Sequence, residues 1–277
     1  DYAGRVAARQ AEAGMAEQVR IEKEGAFGSV VLNRPEKHNA FDERLMDGVT
    51  DAFRALGTDP AIRVIILRAA GKSFSAGADL TWMQRSADYS EAENRTDAER
   101  LATMLRTIDT VPKPVIAAVQ GPVYGGGLGL VAACDIAIGS DATLFSISEV
   151  RFGLIPAVIG PYVVRAIGMR AARRYAITAE RFDAATAERI GLLHEVVPLA
   201  GLHDRVTAIA NQLCENAPGA QAEVKALLRA IEGRPLDPAL GAETAGWIAR
   251  VRAGEEAREG IAAFLGRRRA SWNPGDR

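Results

Sequence analysis

The chain has 277 residues, 34 Lys and Arg against 35 Asp and Glu, a formal charge of −1 at pH 7, 48% hydrophobic residues and 25% charged ones. These proportions are those of folded globular proteins and exclude a disordered, collagenous or fibrous chain. The near-neutral balance argues against a protein built to neutralise the phosphates of a nucleic acid. No apolar run approaches the roughly 18 residues that a membrane span requires. A cytoplasmic protein with one large core and a smaller appendage is therefore expected.

Residues 1–16 begin DYAGRVAARQAEAG, with charges and no apolar centre. They read as an N-terminal extension, disordered or left from a tag, and not as a secretory signal. QVRIEKEG and FGSVVLNRP follow, rich in β-branched residues with a glycine between them, and predict a hairpin. In FDERLMDGVTDAFRALGTD, the residues Phe41, Leu45, Met46, Val49, Phe53 and Leu56 recur at helical spacing and Gly57 marks a stop. VIILRAAG and PKPVIAAVQG are too continuously apolar for one-sided strands and predict a sheet covered on both faces. The polar ADYSEAENRTDAER between them reads as a mobile loop that leads into a helix ending near Thr110. GGGLGLVAACDIAIGS predicts a glycine turn, a short helix and a strand. Strands returning through helices to one hydrophobic sheet indicate an α/β core of stacked β-β-α units over residues 17–194. Beyond it the periods are helical, and residues 195–277 read as a helical C-terminal segment whose short helices call for a partner surface.

Cys134 and Cys214 are too few for a disulfide framework and read as reduced, one in a buried strand and one in a helix. His38, His194 and His203 show no metal-ligand spacing with each other or with the cysteines, so no metal is expected.

Three local patterns could carry chemistry. In GKSFSAGADLTWM, after a buried strand, the small residues Ser75, Ala76, Gly77 and Ala78 let backbone N–H groups approach a ligand. The competing reading is an ordinary strand-to-helix turn capped by Asp79. In GPVYGGGLGLVAACD, Gly125, Gly126 and Gly127 open an apolar helix, whose first N–H groups suit a developing negative oxygen. Close packing through glycine is the alternative, while dinucleotide and P-loop motifs fail. In LFSISEVRFGLIPAVIGP, Glu149 lies among apolar residues, where desolvation raises a carboxyl pKa toward neutrality. Its competing role is a structural ion pair with Arg151 or another arginine.

Together these patterns resemble the crotonase, or enoyl-CoA hydratase/isomerase, superfamily. The resemblance runs from Val19 to Trp272 and rests on LNRPEKHNAF, FSAGADL, PVIAAVQGPVYGGGLGL with ACDIAI, FSISEVRFGLIP and EGIAAFLGRRRASW, in the family's order. It implies a crotonase-like stacked β-β-α core with a helical trimerisation segment, an acyl-CoA substrate and a homotrimer or hexamer. No cofactor is implied beyond the coenzyme A carried by the substrate. The resemblance places the thioester oxygen between the N–H groups of Ala78 and Gly126, with Glu149 as the acid/base. Straight-chain hydratases of the family use two glutamates, and the first falls at Gly129, which can neither hold water nor relay a proton. Isomerases of the family work with one glutamate at the Glu149 position. VYGGGLGLVAACDIAIG, SAGADLTWM and the segment from Ser146 to Ala184 resemble more narrowly the bacterial methylglutaconyl-CoA and carboxygeranoyl-CoA hydratases. That subgroup implies a branched substrate, hydrated at a carbon that tolerates a glycine here.

For coenzyme A, the resemblance points to Arg34, Lys37, Lys72 and the tail Arg267, Arg268 and Arg269, with Asn39, Ala40, Ser75, Ala76, Asp79 and Leu80 along the cofactor moiety. Thr81 stands where a lysine is often found. Phe264 and the arginines resemble a tail that reaches a neighbour's coenzyme A. Trp82, Tyr124, Gly125, Gly129, Ser148 and Pro156 are the expected lining of the acyl pocket. The alternatives are an isomerase using Glu149 alone, a crotonase homologue that binds CoA esters without turnover, and an RNA-binding role that the charge disfavours.

Overall fold

A hairpin begins the fold: β1 (Val19–Glu24) pairs antiparallel with β2 (Phe27–Leu32) across a two-residue turn. The structure is a computed structural model and describes residues 17–273; the extension expected over residues 1–16 lies outside the described residues. From β2 onward the sheet is parallel, through β3 (Val64–Ala69), β4 (Val115–Val119), β6 (Ile136–Ser140) and β9 (Glu195–Val197). β5 (Pro122–Tyr124), β7 (Leu144–Ser146) and β8 (Phe182–Asp183) form a second, three-stranded sheet.

The continuous apolar runs have a simple cause. Successive side chains of a strand point to opposite faces, and both faces here are covered. Ile65 and Leu67 of β3 and Val115, Ala117 and Val119 of β4 join a large core. That core also takes residues of α1 (Glu43–Thr58), α3 (Glu91–Thr110) and α4 (Gly126–Ala133). Val64, Ile66, Ile116 and Ala118 face a smaller core with Leu202, Val206, Ile209 and Ala210. These last belong to the helix Leu202–Cys214, later numbered α7. Each fully buried aliphatic or aromatic side chain contributes roughly 1.5–3 kcal/mol. α1 buries Leu45, Met46, Val49, Phe53 and Leu56 on the face its sequence spacing indicates, and Asp42 caps it by accepting from Leu45 N.

Three expectations change. The polar stretch before Thr110 is not a loop along its length. Helix α3 begins at Glu91 because Ser90 and Glu93 form a reciprocal capping box, which satisfies donors that apolar periodicity does not reveal. Cys134 is not in a strand but follows the last residue of α4, its thiol donating to Leu130 C=O. Residues 195–197 are not helical: they form β9, too short for alternation to show, and the helical segment starts beyond them. The helices around them are α2 (Leu80–Ser86), α5 (Gly160–Thr178), α6 (Ala184–Arg189), α7 as above, α8 (Pro218–Ile231), α9 (Pro238–Arg252) and α10 (Glu255–Leu265). None of the described helices is long and apolar enough to cross a membrane.

Replacing Ser90 with Ala removes one side of the capping box. The expected loss is about 1 kcal/mol of stability, read by urea denaturation, with faster amide hydrogen exchange confined to the first turn of α3.

Candidate active site

The first two glycine-rich segments lie side by side through a single residue. Ser75 N–H donates to Pro122 C=O at 3.3 Å, and Ser75 C=O accepts from Tyr124 N–H at 2.9 Å, a parallel bridge that sets Ser75 beside Val123. Three residues further along each strand stand Ala78 and Gly126, so the bridge brings them to the same level. Gly77 has φ +86°, and a Cβ there would lie 2.8 Å from Tyr124 C=O. At Gly127 a Cβ would meet the Ser75 side chain at 2.8 Å. Small residues are needed here because two backbones touch.

Neither of those two amides is turned to a protein carbonyl. In the bridge of Phe41 with Ala78, Phe41 N–H donates to Gly77 C=O at 2.6 Å and Asp79 N–H donates to Phe41 C=O at 2.8 Å. Ala78 N–H therefore points to the opposite edge. Gly126 is the first residue of α4, where the helix has no carbonyl to offer its N–H. Both amides are free to receive a developing negative charge, with the positive end of α4 behind one of them.

Glu149 follows β7 in a short 3-10 turn (Glu149–Phe152) closed by Gly153 in the left-handed region. Gly125 has φ +50°, and a Cβ there would lie 3.4 Å from Glu149 Oε1 and 3.5 Å from Ser148 Oγ. The carboxylate thus sits against the glycine turn that presents Gly126. Its Oε2 is buried without a hydrogen-bond partner in the protein. Burial pushes the Glu149 carboxyl above the ordinary glutamate range, against the opposing pull of its own N–H and that of Ser148. Arg151 does not pair with it. The Arg151 guanidinium and Ser146 Oγ both donate to Ala179 C=O, at 2.7 and 3.0 Å, which ties the turn to the end of α5.

Several residues expected along coenzyme A have their side chains engaged within the protein. Arg34 is 11% exposed and held by Asp42 at 3.0 Å, Asp79 at 3.2 Å and Ala40 C=O at 2.9 Å. Its donors are directed inward and do not present a fork to a phosphate. Asp79 is buried and caps α2, accepting from Thr81 and Trp82 N–H. Burial alone would raise its pKa, but those two N–H groups together with Arg34 and Lys37 outweigh it and hold it low. Asn39 is fully buried: it accepts from Arg34 N–H and donates to Ala70 and Ser73 C=O, all at 2.8 Å. His38 and Asn39 are both left-handed, at φ 51° and 52°. This frame is braced by Ser75 Oγ donating to Asn39 C=O and by Ala76 N–H donating to His38 C=O, each at 2.9 Å. Ala40 is buried as well. Lys37, Lys72, Leu80 and Arg269 are exposed, while Arg268 is paired with Glu259 at 2.7 Å.

The expected pocket residues divide. Gly125 and Ser148 adjoin Glu149. Trp82 packs on the large core and its indole N–H donates to Asp97 at 3.1 Å. Tyr124 carries the Arg181 guanidinium over its ring at 5.5 Å. Pro156 borders a separate apolar recess of about 230 Å³ with Ile147, Val163 and Met169. At Gly129 a Cβ would strike Ile159 Cγ2 at 2.4 Å. Phe41 and Ile159 lie inside quoted motifs, but their contacts with positions 126 and 129 are not marked by those motifs. Only contact across the fold shows them. Among the described residues no cluster of metal-binding side chains occurs.

Residues 22–275 match the family described as enoyl-CoA hydratase/isomerase. The crystal structure of an enoyl-CoA hydratase from Shewanella pealeana is similar with a TM-score of 0.91 and 39% identity, covering 95% of this chain and 98% of that one. The mevalonyl-coenzyme A hydratase of Aspergillus fumigatus is 34% identical, over 88% of this chain and 90% of its own length. The crotonyl-CoA hydratase of Syntrophomonas wolfei is 33% identical, over 92% and 98%.

Two measurements test this geometry. Arg34→Met strands two largely buried carboxylates and is expected to cost about 3–5 kcal/mol in chemical denaturation. Because the folded-state pKa of Glu149 is raised, the native protein holds its proton where the unfolded chain has released it, so stability falls as pH rises through that window. Glu149→Gln has no such proton to lose. Its melting temperature relative to the parent protein is expected to climb as pH rises through and above the ordinary glutamate range.

Proposed function

The chain belongs to the enoyl-CoA hydratase/isomerase family, and on that premise we propose that it adds water across the double bond of a 2-enoyl-CoA, or removes it. Carrying this reading is the pair of unpaired amides, Ala78 and Gly126, set level by the Ser75 bridge beside a carboxylate with one unpartnered oxygen. As water bonds to the β-carbon, the electrons of the double bond move onto the thioester oxygen, where the two N–H groups meet the charge. Protonated Glu149 gives its proton to the α-carbon and is recharged by the proton that the attacking water releases. A raised pKa suits a group that must change protonation state near neutral pH. Lys37, Lys72 and the tail Arg269 are exposed cations of the kind that would meet the phosphates of coenzyme A, which enters and leaves as part of the substrate.

Gly129 favours an acyl group branched at the carbon that is hydrated, of the methylglutaconyl-CoA type. Bond formation at a tertiary carbon places more positive charge there, so the incoming water needs less help from a second base. The named relatives include both a mevalonyl-CoA and a crotonyl-CoA hydratase at like identity, so the preference rests on Gly129. The same glycine favours a second reading, a Δ3-Δ2-enoyl-CoA isomerase that shuttles one proton on Glu149. The exposed Phe264 and Leu265, at 83% and 74%, and the exposed Phe152, Leu154 and Ile155 suit a homotrimer or a dimer of trimers.

The ultraviolet absorbance of the enoyl thioester decides. It is expected to fall with 3-methylglutaconyl-CoA, less with crotonyl-CoA, and not to rise from a 3-enoyl-CoA, whose conversion would instead mark the isomerase. Glu149→Gln is expected to lose about 10²–10⁴-fold in turnover. Ala78→Pro, which deletes one N–H, loses about 10²–10³-fold. Coenzyme A ester binding without turnover in the parent protein overturns the enzymatic reading.

A further inference from the structure

Position 129 lies three residues along α4 from Gly126 and is buried. A Cβ at 129 would stand 2.4 Å from Ile159 Cγ2, 2.9 Å from Ile159 Cβ and 3.6 Å from Leu105 Cδ1. The 2.4 Å approach concerns a branch methyl, which a different χ1 could move. The 2.9 Å approach concerns Cβ itself, which is fixed by the backbone and which no rotamer relieves. Ile159 is 2% exposed, belongs to the large core and precedes α5, whose first residue, Gly160, donates to Pro156 C=O at 2.8 Å.

From this contact we infer that Ile159 is a specificity-determining residue of the site. It fills the space that any side chain at 129 would need, so α4 can carry no carboxylate there. The reaction is thereby confined to the single acid/base group Glu149 and to acyl chains that react without a second one. Ile159 touches no reacting atom in this account and acts through position 129 alone. The inference deepens the proposed function and rests on its reading of Glu149. The absent side chain at 129 then has a physical cause: the glycine and the isoleucine are two halves of one contact.

A substitution cycle tests the contact without any turnover. Alanine is the better helix residue, so Gly129→Ala ought to stabilise α4 unless Ile159 stands in the way. Gly129→Ala is expected to lower the melting temperature of the parent protein and to raise that of an Ile159→Gly background. Ile159→Ala keeps the 2.9 Å approach and is expected to rescue only in part. If Gly129→Ala shifts the melting temperature alike in both backgrounds, Ile159 does not occupy the space and the inference falls.

Specificity is then read with Gly129→Glu in the Ile159→Gly background, or Gly129→Asp should the longer side chain prevent folding. Crotonyl-CoA hydration relative to 3-methylglutaconyl-CoA hydration is expected to rise at least tenfold over Ile159→Gly alone. The pH profile of kcat/KM is expected to gain a second ionisation. A folded double variant with an unchanged ratio overturns the specificity role even where the melting cycle behaves as expected. Absence of turnover in the parent protein, with a normal melting cycle, fails the proposed function instead.

Discussion

Ser75 uses its backbone and its hydroxyl for separate tasks, and the rest of the site depends on both. The backbone N–H and C=O join the turn after β3 to strand β5, and the hydroxyl donates to Asn39 C=O to hold a third segment against them. Three pieces of chain distant in sequence are thereby stacked closely enough that glycine is required at 77 and at 127. What the stack leaves over are two N–H groups with no carbonyl to bond. An unmade backbone hydrogen bond is costly where water is excluded. Such donors persist only where surrounding structure holds them, and under the proposed function they are preorganised for an anionic oxygen.

The polar residues around that stack show why charge in a motif does not imply contact with a ligand. Arg34, Asn39 and Asp79 all belong to segments that approach the site, yet their donors and acceptors are consumed by one another and by backbone. A buried ion pair gains little net stability over an apolar substitute. Its role here is geometric, since Arg34 joins the cap of α1 to the cap of α2 and so fixes where α2 departs after Ala78. Glu149 is the exception. It lies among the same packed segments, with one oxygen buried and unpartnered, and burial raises its pKa with no ion pair to it among the described residues.

Much of the fold was legible in the chain. Continuous apolar runs indicate strands covered on both faces, and β3 and β4 do divide their side chains between two cores. The helical spacing of Leu45, Met46, Val49, Phe53 and Leu56 marks the buried face of α1. Weak periodicity hides the other elements for identifiable reasons. The start of α3 is set by hydrogen bonds of Ser90 and Glu93 rather than by burial, and β9 has three residues, too few for any alternation to register.

The order of small residues, the lone Glu149 among apolar neighbours and the glycine at 129 are all properties of the sequence, because backbone freedom, desolvation and the lack of a side chain are each local. Which polar residue would be free and which bound was decided only by the fold. A hydrogen-bonding group is satisfied by whatever the tertiary arrangement brings within about 3 Å, and no spacing along the chain encodes that distance. The meeting of Gly129 with Ile159, thirty positions apart, is of the same kind. Steric exclusion acts between surfaces, and those surfaces exist only once α4 and the start of α5 have packed together.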